Sequence, residues 1–281
     1  PRDIRTMVAQ GMSPEEARVR IGGEFAIEQY SVFPEFNIDR HGISDFPIPA
    51  DWTKFMMVDP GTGVCAVLFA AVPPPTGEED YVGDFIYLYD ELYIKRCSAA
   101  LFGEEVAKKA VGQSYHSFFI DPGSAKVKEM GSGITIQVQY SQALAKYDVR
   151  SEHSGSNFFY GSTDIPGSLE MIRQLMRLRD DGTTKLRLMR GRVPMMRWEL
   201  QNYRFKTIKD PVRGMRVPTD KPRDAHDHLI WGLRAIAAFN PIYEKPKIKV
   251  PIDHVYEAFL RMKKKRRGAN DAPYIQLGPP V

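Results

Sequence analysis

Short unbroken apolar runs separated by turn residues dominate the first half of the chain. Phe55-Met56-Met57-Val58 is one such run, the pattern of a central strand buried on both faces. Asp59-Pro60-Gly61-Thr62-Gly63 reads as a turn, and Val64 to Val72 as a second apolar strand, so the two predict a hairpin. Pro73-Pro74-Pro75-Thr76-Gly77 breaks the chain. Tyr81 to Tyr93, aromatic and rich in β-formers, predicts a third strand. Ser98 is placed to cap a helix running to about Val111, and Ser117 to Ile120 predicts a fourth strand that ends in Asp121-Pro122-Gly123.

Helical periodicity is clearer in the second half. Ile134 to Tyr140 suits either a strand or an irregular crossover. Ser168 is expected to cap a helix with the stripe Leu169, Ile172, Leu175 and Met176, ending near Gly182. Lys185 to Met189 reads as a fifth strand and Met195 to Asn202 as a helix. Tyr203 to Arg216 predicts a basic hairpin, and Asp224 to Phe239 a strongly apolar closing helix. Residues 1–50 form a thin lead-in with a good helix start at Ser13-Pro14-Glu15-Glu16. The expected organisation is that lead-in, a folded domain over residues 51–245, and a basic, proline-rich tail over residues 246–281.

Three strands in succession, a helix, a fourth strand, more helix, a fifth strand and a closing helix is the order of the RNase H-like fold. That predicts an α/β architecture in which three antiparallel and then two parallel strands form a mixed sheet flanked by helices. Ligands gather at the ends of central strands in such sheets. Asp59 closes the first strand and Asp121 the fourth, each followed at once by Pro-Gly. A third carboxylate should come from the start of the closing helix, where Asp227 is the first choice and Asp224 the other candidate. Carboxylates from separate elements are what hard divalent cations need, and two such ions roughly 4 Å apart can assist phosphodiester cleavage. The plain alternative is that Asp-Pro-Gly is a turn and an aspartate at a helix start a cap. Two such turns and an acid-rich helix start, in this order, favour the metal cluster. Glu91 either joins that cluster or pairs with a basic neighbour. His226 and His228 are placed to assist proton transfer or to hydrogen-bond a neighbouring acid, while His116, His153 and His254 show no constellation and read as structural.

Charge sharpens the substrate. The net charge is only +4, but residues 185–223 hold twelve Lys or Arg against Glu199, Asp210 and Asp220. Trp198, Tyr203 and Phe205 are interleaved with them, which favours a surface for a polyanion such as double-stranded DNA. Within it, Arg204, Lys206, Lys209, Arg213 and Arg216 are the expected DNA-binding residues. The later run from Arg261 to Arg267 is as well explained by a solvated helix face. Of 281 residues, 43% are hydrophobic and 26% charged, the composition of an ordinary globular chain. No apolar run is long enough to cross a bilayer, and the first residues lack a signal-peptide pattern. Cys65 and Cys97 are too few for a disulfide scaffold and read as buried small hydrophobes. A P-loop, a nucleophile elbow, a dinucleotide fingerprint and zinc-type Cys/His spacing are all absent from the sequence.

Several landmarks resemble, in the same order, those of the nuclease domain of tailed-bacteriophage large terminases. They are Val32-Phe33-Pro34-Glu35-Phe36, Ile48-Pro49-Ala50-Asp51-Trp52, Met57-Val58-Asp59-Pro60-Gly61, Tyr89-Asp90-Glu91-Leu92-Tyr93, Ile120-Asp121-Pro122-Gly123, Glu199-Leu200-Gln201-Asn202-Tyr203-Arg204 and Asp227-His228-Leu229-Ile230-Trp231-Gly232-Leu233-Arg234. The resemblance covers roughly residues 30–240. It implies an RNase H-like endonuclease that cuts concatemeric viral DNA during genome packaging, with little sequence specificity and two Mg2+ or Mn2+ ions held by Asp59, Asp121 and Asp227. It further implies a preceding ATPase domain, with residues 1–50 as the connecting remnant, and a small terminase subunit and a portal protein as partners. The setting it implies is the host cell cytoplasm. The family's usual aspartate before Ala-Leu-Arg is missing here, where Trp231-Gly232 precedes Leu233-Arg234.

Two rival readings stand beside it. Asp59-Pro60-Gly61-Thr62-Gly63 also resembles the phosphate-binding hairpin of actin-like and sugar-kinase-like ATPases. A DNA-holding or docking module with structural carboxylates predicts DNA binding without metal-stimulated cutting.

Overall fold

The computed structural model describes residues 30–61, 63–75, 85–128, 133–209 and 216–247. The apolar run at 55–58 lies within strand β2 (Thr53–Asp59), whose first six residues are all buried. Fully burying each Phe, Met or Val side chain stabilises the fold by about 1.5–3 kcal/mol, so this segment is driven to the middle of the sheet. β3 (Val64–Val72) returns antiparallel to it, from Thr53↔Val72 to Asp59↔Ala66, the expected hairpin. β4 (Ile86–Lys95) adds antiparallel to β3, with an irregularity between Phe69 and Ala70. β5 (Ser117–Ile120) lies parallel along the other edge of β2, and β6 (Phe159–Tyr160) parallel along β5.

The order β4-β3-β2-β5-β6 is therefore the expected RNase H-like one, three antiparallel strands followed by two parallel. The strand read from residues 185–189 is real but sits elsewhere. β7 (Leu186–Met189) pairs parallel with β4 at the opposite edge, where β1 (Gly42–Ile43) extends the sheet further. The fifth position belongs to β6, whose two residues are both exposed. β6 is only two residues long, too short for an alternation to show, whereas buried Leu186, Leu188 and Met189 mark a longer strand.

Helices cover both faces. On one, α2 (Ala99–Ala110), capped by Ser98, packs against α4 (Ile136–Lys146) over Met56, Val58, Val67, Phe102 and Tyr140. The 134–140 stretch is thus the cap and first turns of a helix, because the Thr135 side chain accepts the Val138 amide, 3.4 Å away, and starts it. Short α1 (Ile38–His41) and α3 (Pro122–Ala125) fill connections. On the other face α5 (Ile165–Met176) packs beside α7 (His228–Phe239), which lies on β2, β3 and β5. Asp164, not Ser168, caps α5; the Ser168 hydroxyl donates back to Asp164 O and accepts from Arg234 Nε at 2.8 Å. Both cysteines are free and buried, as expected.

The chain divides into two compact units, Asn37–Trp198 with His228–Val281, and Pro1–Phe36 with Glu199–Asp227; α6 (Pro194–Asn202) is the helix at their junction in sequence. The first holds the sheet. The second holds the hairpin β8 (Phe205–Lys209) and β9 (Arg216–Pro222), longer than the expected one. Beside β8, the Val32 amide donates to Tyr203 O and the Phe205 amide to Tyr30 O, while Phe33 stacks on Tyr203 at 6.2 Å. The expected helix at Ser13 and the tail beyond residue 247 lie outside the described residues.

Candidate active site

Asp59 ends β2 and Asp121 follows β5. The register Val58↔Ile120, with the Asp121 amide donating to Val58 O at 3.0 Å, sets the two residues side by side on neighbouring strands. Strands in a sheet lie about 4.8 Å apart, so the two residues stand at neighbouring strand ends. Pro122 turns the chain into α3, and Asp121 Oδ2 accepts the Ser124 amide at 2.8 Å. A Cβ on Gly123 would stand 3.1 Å from that oxygen, so glycine keeps the carboxylate uncrowded.

The third component is His228, the first residue of α7. Its Nδ1 lies 2.7 Å from Asp59 Oδ2, and its ring meets Tyr93 edge-on at 5.8 Å. Close seating of α7 makes this possible: a Cβ on Gly232 would be 3.2 Å from the Cβ atoms of both Leu68 and Met57. The Gly232 position therefore has a packing reason, since a side chain there would crowd Leu68 and Met57. Asp59 is mostly buried and His228 half-buried, so the pair is partly shielded from solvent. Of the two roles open to His228, hydrogen bonding to an acid is the one displayed. The acid it reaches is Asp59, far away in sequence.

The remaining predicted residues are placed as follows. Glu91 accepts the amides of Met195 (2.6 Å) and Met196 (2.9 Å), capping the start of α6 with both oxygens. Burial pushes its carboxyl up to about 7, while those two amides, Asp90 and Lys109 act more weakly. Asp227 immediately precedes α7, which starts four residues later than expected because His226 takes a left-handed φ of 60°. Asp224 is exposed and pairs with Lys206 at 2.7 Å. Lys209 is exposed at the end of β8. Arg204 is half-buried against Ser31 and Tyr203 O, and burial followed by Arg223 holds its guanidinium below the usual range. Arg216 opens β9, and Arg213 lies outside the described residues.

One grouping had no sequence signal. His116 and His153, read as structural, converge with Glu244; each offers a ligand atom, all within 4.8 Å of one another. His254 lies outside the described residues.

No protein-family model and no curated protein matches the chain. Solved structures do. The nuclease domain of the P22 large terminase is similar over 76% of this chain and 94% of that one, with 14% identity and a TM-score of 0.52. The large terminase of a thermophilic bacteriophage is similar over 74% of this chain, with 13% identity and a TM-score of 0.51. There the match spans 44% of the terminase's own length. What these likenesses establish is the architecture: the chain has the RNase H-like fold found in the nuclease domain of phage large terminases.

Proposed function

We propose that the chain is a metal-dependent endodeoxyribonuclease that cuts double-stranded viral DNA during genome packaging. The observation that carries this reading is the placement of Asp59 and Asp121 at the adjoining ends of β2 and β5. Carboxylates at neighbouring strand ends supply the oxygen donors that a hard divalent cation, Mg2+ or Mn2+, takes. Asp59 and Asp121 would hold the two ions, with Asp227, next to His228 in the chain, as the third carboxylate and Asp224 as its alternative. Bound there, the ions would lower the pKa of the attacking water and offset charge on the leaving oxygen. Within the protein, His228 fixes the orientation of the Asp59 carboxylate. The basic hairpin around Lys206 and Lys209 grips phosphates, which reads little sequence. The likeness to two terminase structures supports the same reading, as does the order of the sequence landmarks. An ATPase domain, a small terminase subunit and a portal protein are the partners it entails, and the host cytoplasm the place. No helix among the described residues is long and apolar enough to cross a membrane.

The test is incubation of the protein with supercoiled plasmid and Mn2+ or Mg2+. Nicked and linear products are expected from the wild type, and a loss of at least a hundredfold in rate from Asp59→Asn and Asp121→Asn. An intact plasmid, or equal cutting by the variants, overturns the proposal. DNA binding without cutting would instead identify a holding module.

A further inference from the structure

At the opposite end of the central strands from Asp59 and Asp121, three remote segments meet. His116 immediately precedes β5, His153 lies in the connection between α4 and β6, and Glu244 lies five residues beyond α7. Glu244 Oε2 is 3.4 Å from His116 Nε2 and 3.8 Å from His153 Nε2, and the two rings are 4.1 Å apart between centroids. A tetrahedral ion with bonds of about 2.0–2.1 Å has ligand atoms roughly 3.3 Å apart; the two carboxylate–imidazole distances are close to this, and all three ligand atoms lie within 4.8 Å of one another. His116 is also oriented as ligating histidines are. Its Nδ1 is 2.8 Å from Ser117 Oγ, and in the tautomer whose Nδ1 donates to that hydroxyl, Nε2 presents its lone pair to the cluster. The backbone of Glu244 is pinned independently: Thr53 Oγ1 accepts its amide and donates to its carbonyl, each at 2.7 Å. Glu152, which accepts from Ser114 Oγ and from the Lys247 amide, adds a second carboxylate beside the group.

We infer that His116, His153 and Glu244 form a binding site for a transition-metal ion of the zinc class, which clips the segment after α7 to the base of β2 and β5. Two imidazoles and one carboxylate select such an ion over Mg2+, which prefers oxygen ligands alone. The site is distinct from the strand-end acids: His116 and Asp121 are separated by the four residues of β5, roughly 16 Å at 3.3 Å per residue.

Titration of the protein with Co2+ and Zn2+ in excess Mg2+ tests this. One equivalent of Co2+ is expected to give the visible absorption of a low-symmetry site, Zn2+ to displace it, and Zn2+ to raise Tm by several degrees. His153 and Glu244 are 39% and 44% exposed, so His153→Ala and Glu244→Gln leave the core intact. Each should weaken Zn2+ binding at least tenfold, while the Asp59→Asn, Asp121→Asn double variant retains it. The inference is overturned if the wild type shows no saturable Co2+ absorption, or if either His153→Ala or Glu244→Gln binds as tightly as wild type. It is also overturned if the double variant loses the binding.

Discussion

His228 Nδ1 stands 2.7 Å from Asp59 Oδ2, joining the first residue of the closing helix to the last residue of the central strand. The contact links the placement of a carboxylate to the seating of a helix, and the first two expectations follow from that link.

His228→Ala should slow metal-dependent cleavage roughly 10–100-fold, the usual loss when a partner that orients a ligating group is removed. Plasmid-nicking rates at saturating Mn2+ measure it. An unchanged rate would leave His228 no role in positioning Asp59.

Gly232→Leu should destabilise the protein by about 1–3 kcal/mol, the common cost of overpacking, because the new side chain meets Leu68 and Met57. Chemical denaturation gives the stability. Cleavage measured below the unfolding transition should fall as well, since a displaced α7 carries His228 away from Asp59.

Glu91 makes stability depend on pH. Its folded pKa is raised from 4.5 to about 7, chiefly by burial, so folding favours its protonated form. The contribution is fully present below pH 4.5 and is lost as pH rises through 7. Relative to Glu91→Gln, the wild type should lose up to about 3 kcal/mol of stability across that window, at about 1.4 kcal/mol per pH unit. Thermal melts of both proteins from pH 4 to 8 would show it, and a constant difference would refute it.

Lys54 has the opposite sense. Its Nζ is buried with no hydrogen-bond partner among the described residues, and burial lowers its pKa to about 8 against a weaker opposing effect of Asp51. Protonation therefore costs stability below pH 8, and the penalty fades as pH rises from 8 towards 10.5. Lys54→Met should raise Tm by a few degrees at pH 7, with the gain shrinking as pH rises from 8 towards 10.5. A Tm unchanged or lowered at pH 7 would contradict this.

If the hairpin grips DNA, the Lys206→Ala, Lys209→Ala double variant should weaken binding. It should also reduce the slope of log K against log salt by roughly two, about 0.9 for each phosphate no longer neutralised. Titrations at several salt concentrations decide it; a wild-type slope would mean that other residues hold the phosphates.

Much of this protein is legible in its apolar runs. Phe55–Val58, Val64–Val72 and Ser117–Ile120 announce buried strands, and the stripe from Leu229 to Ile236 a buried helix, because burial demands apolar side chains at fixed spacing. The sequence also places Asp59 and Asp121 at strand ends, since Pro-Gly stops a strand wherever it occurs. Which neighbour a strand takes is another matter. Leu186, Leu188 and Met189 would be equally apolar beside β5 or beside β4, and only the assembled sheet decides for β4. Exposed Phe159 and Tyr160 take the fifth position as a strand of two residues, too short for a period to show. Side-chain constellations are the least legible. His228 and Asp59, or His116, His153 and Glu244, are brought together by packing between segments remote in sequence, and periodicity carries no record of that. Local chemistry determined the strands, their turns and the acids at their ends; tertiary packing decided which side chains those acids and histidines meet.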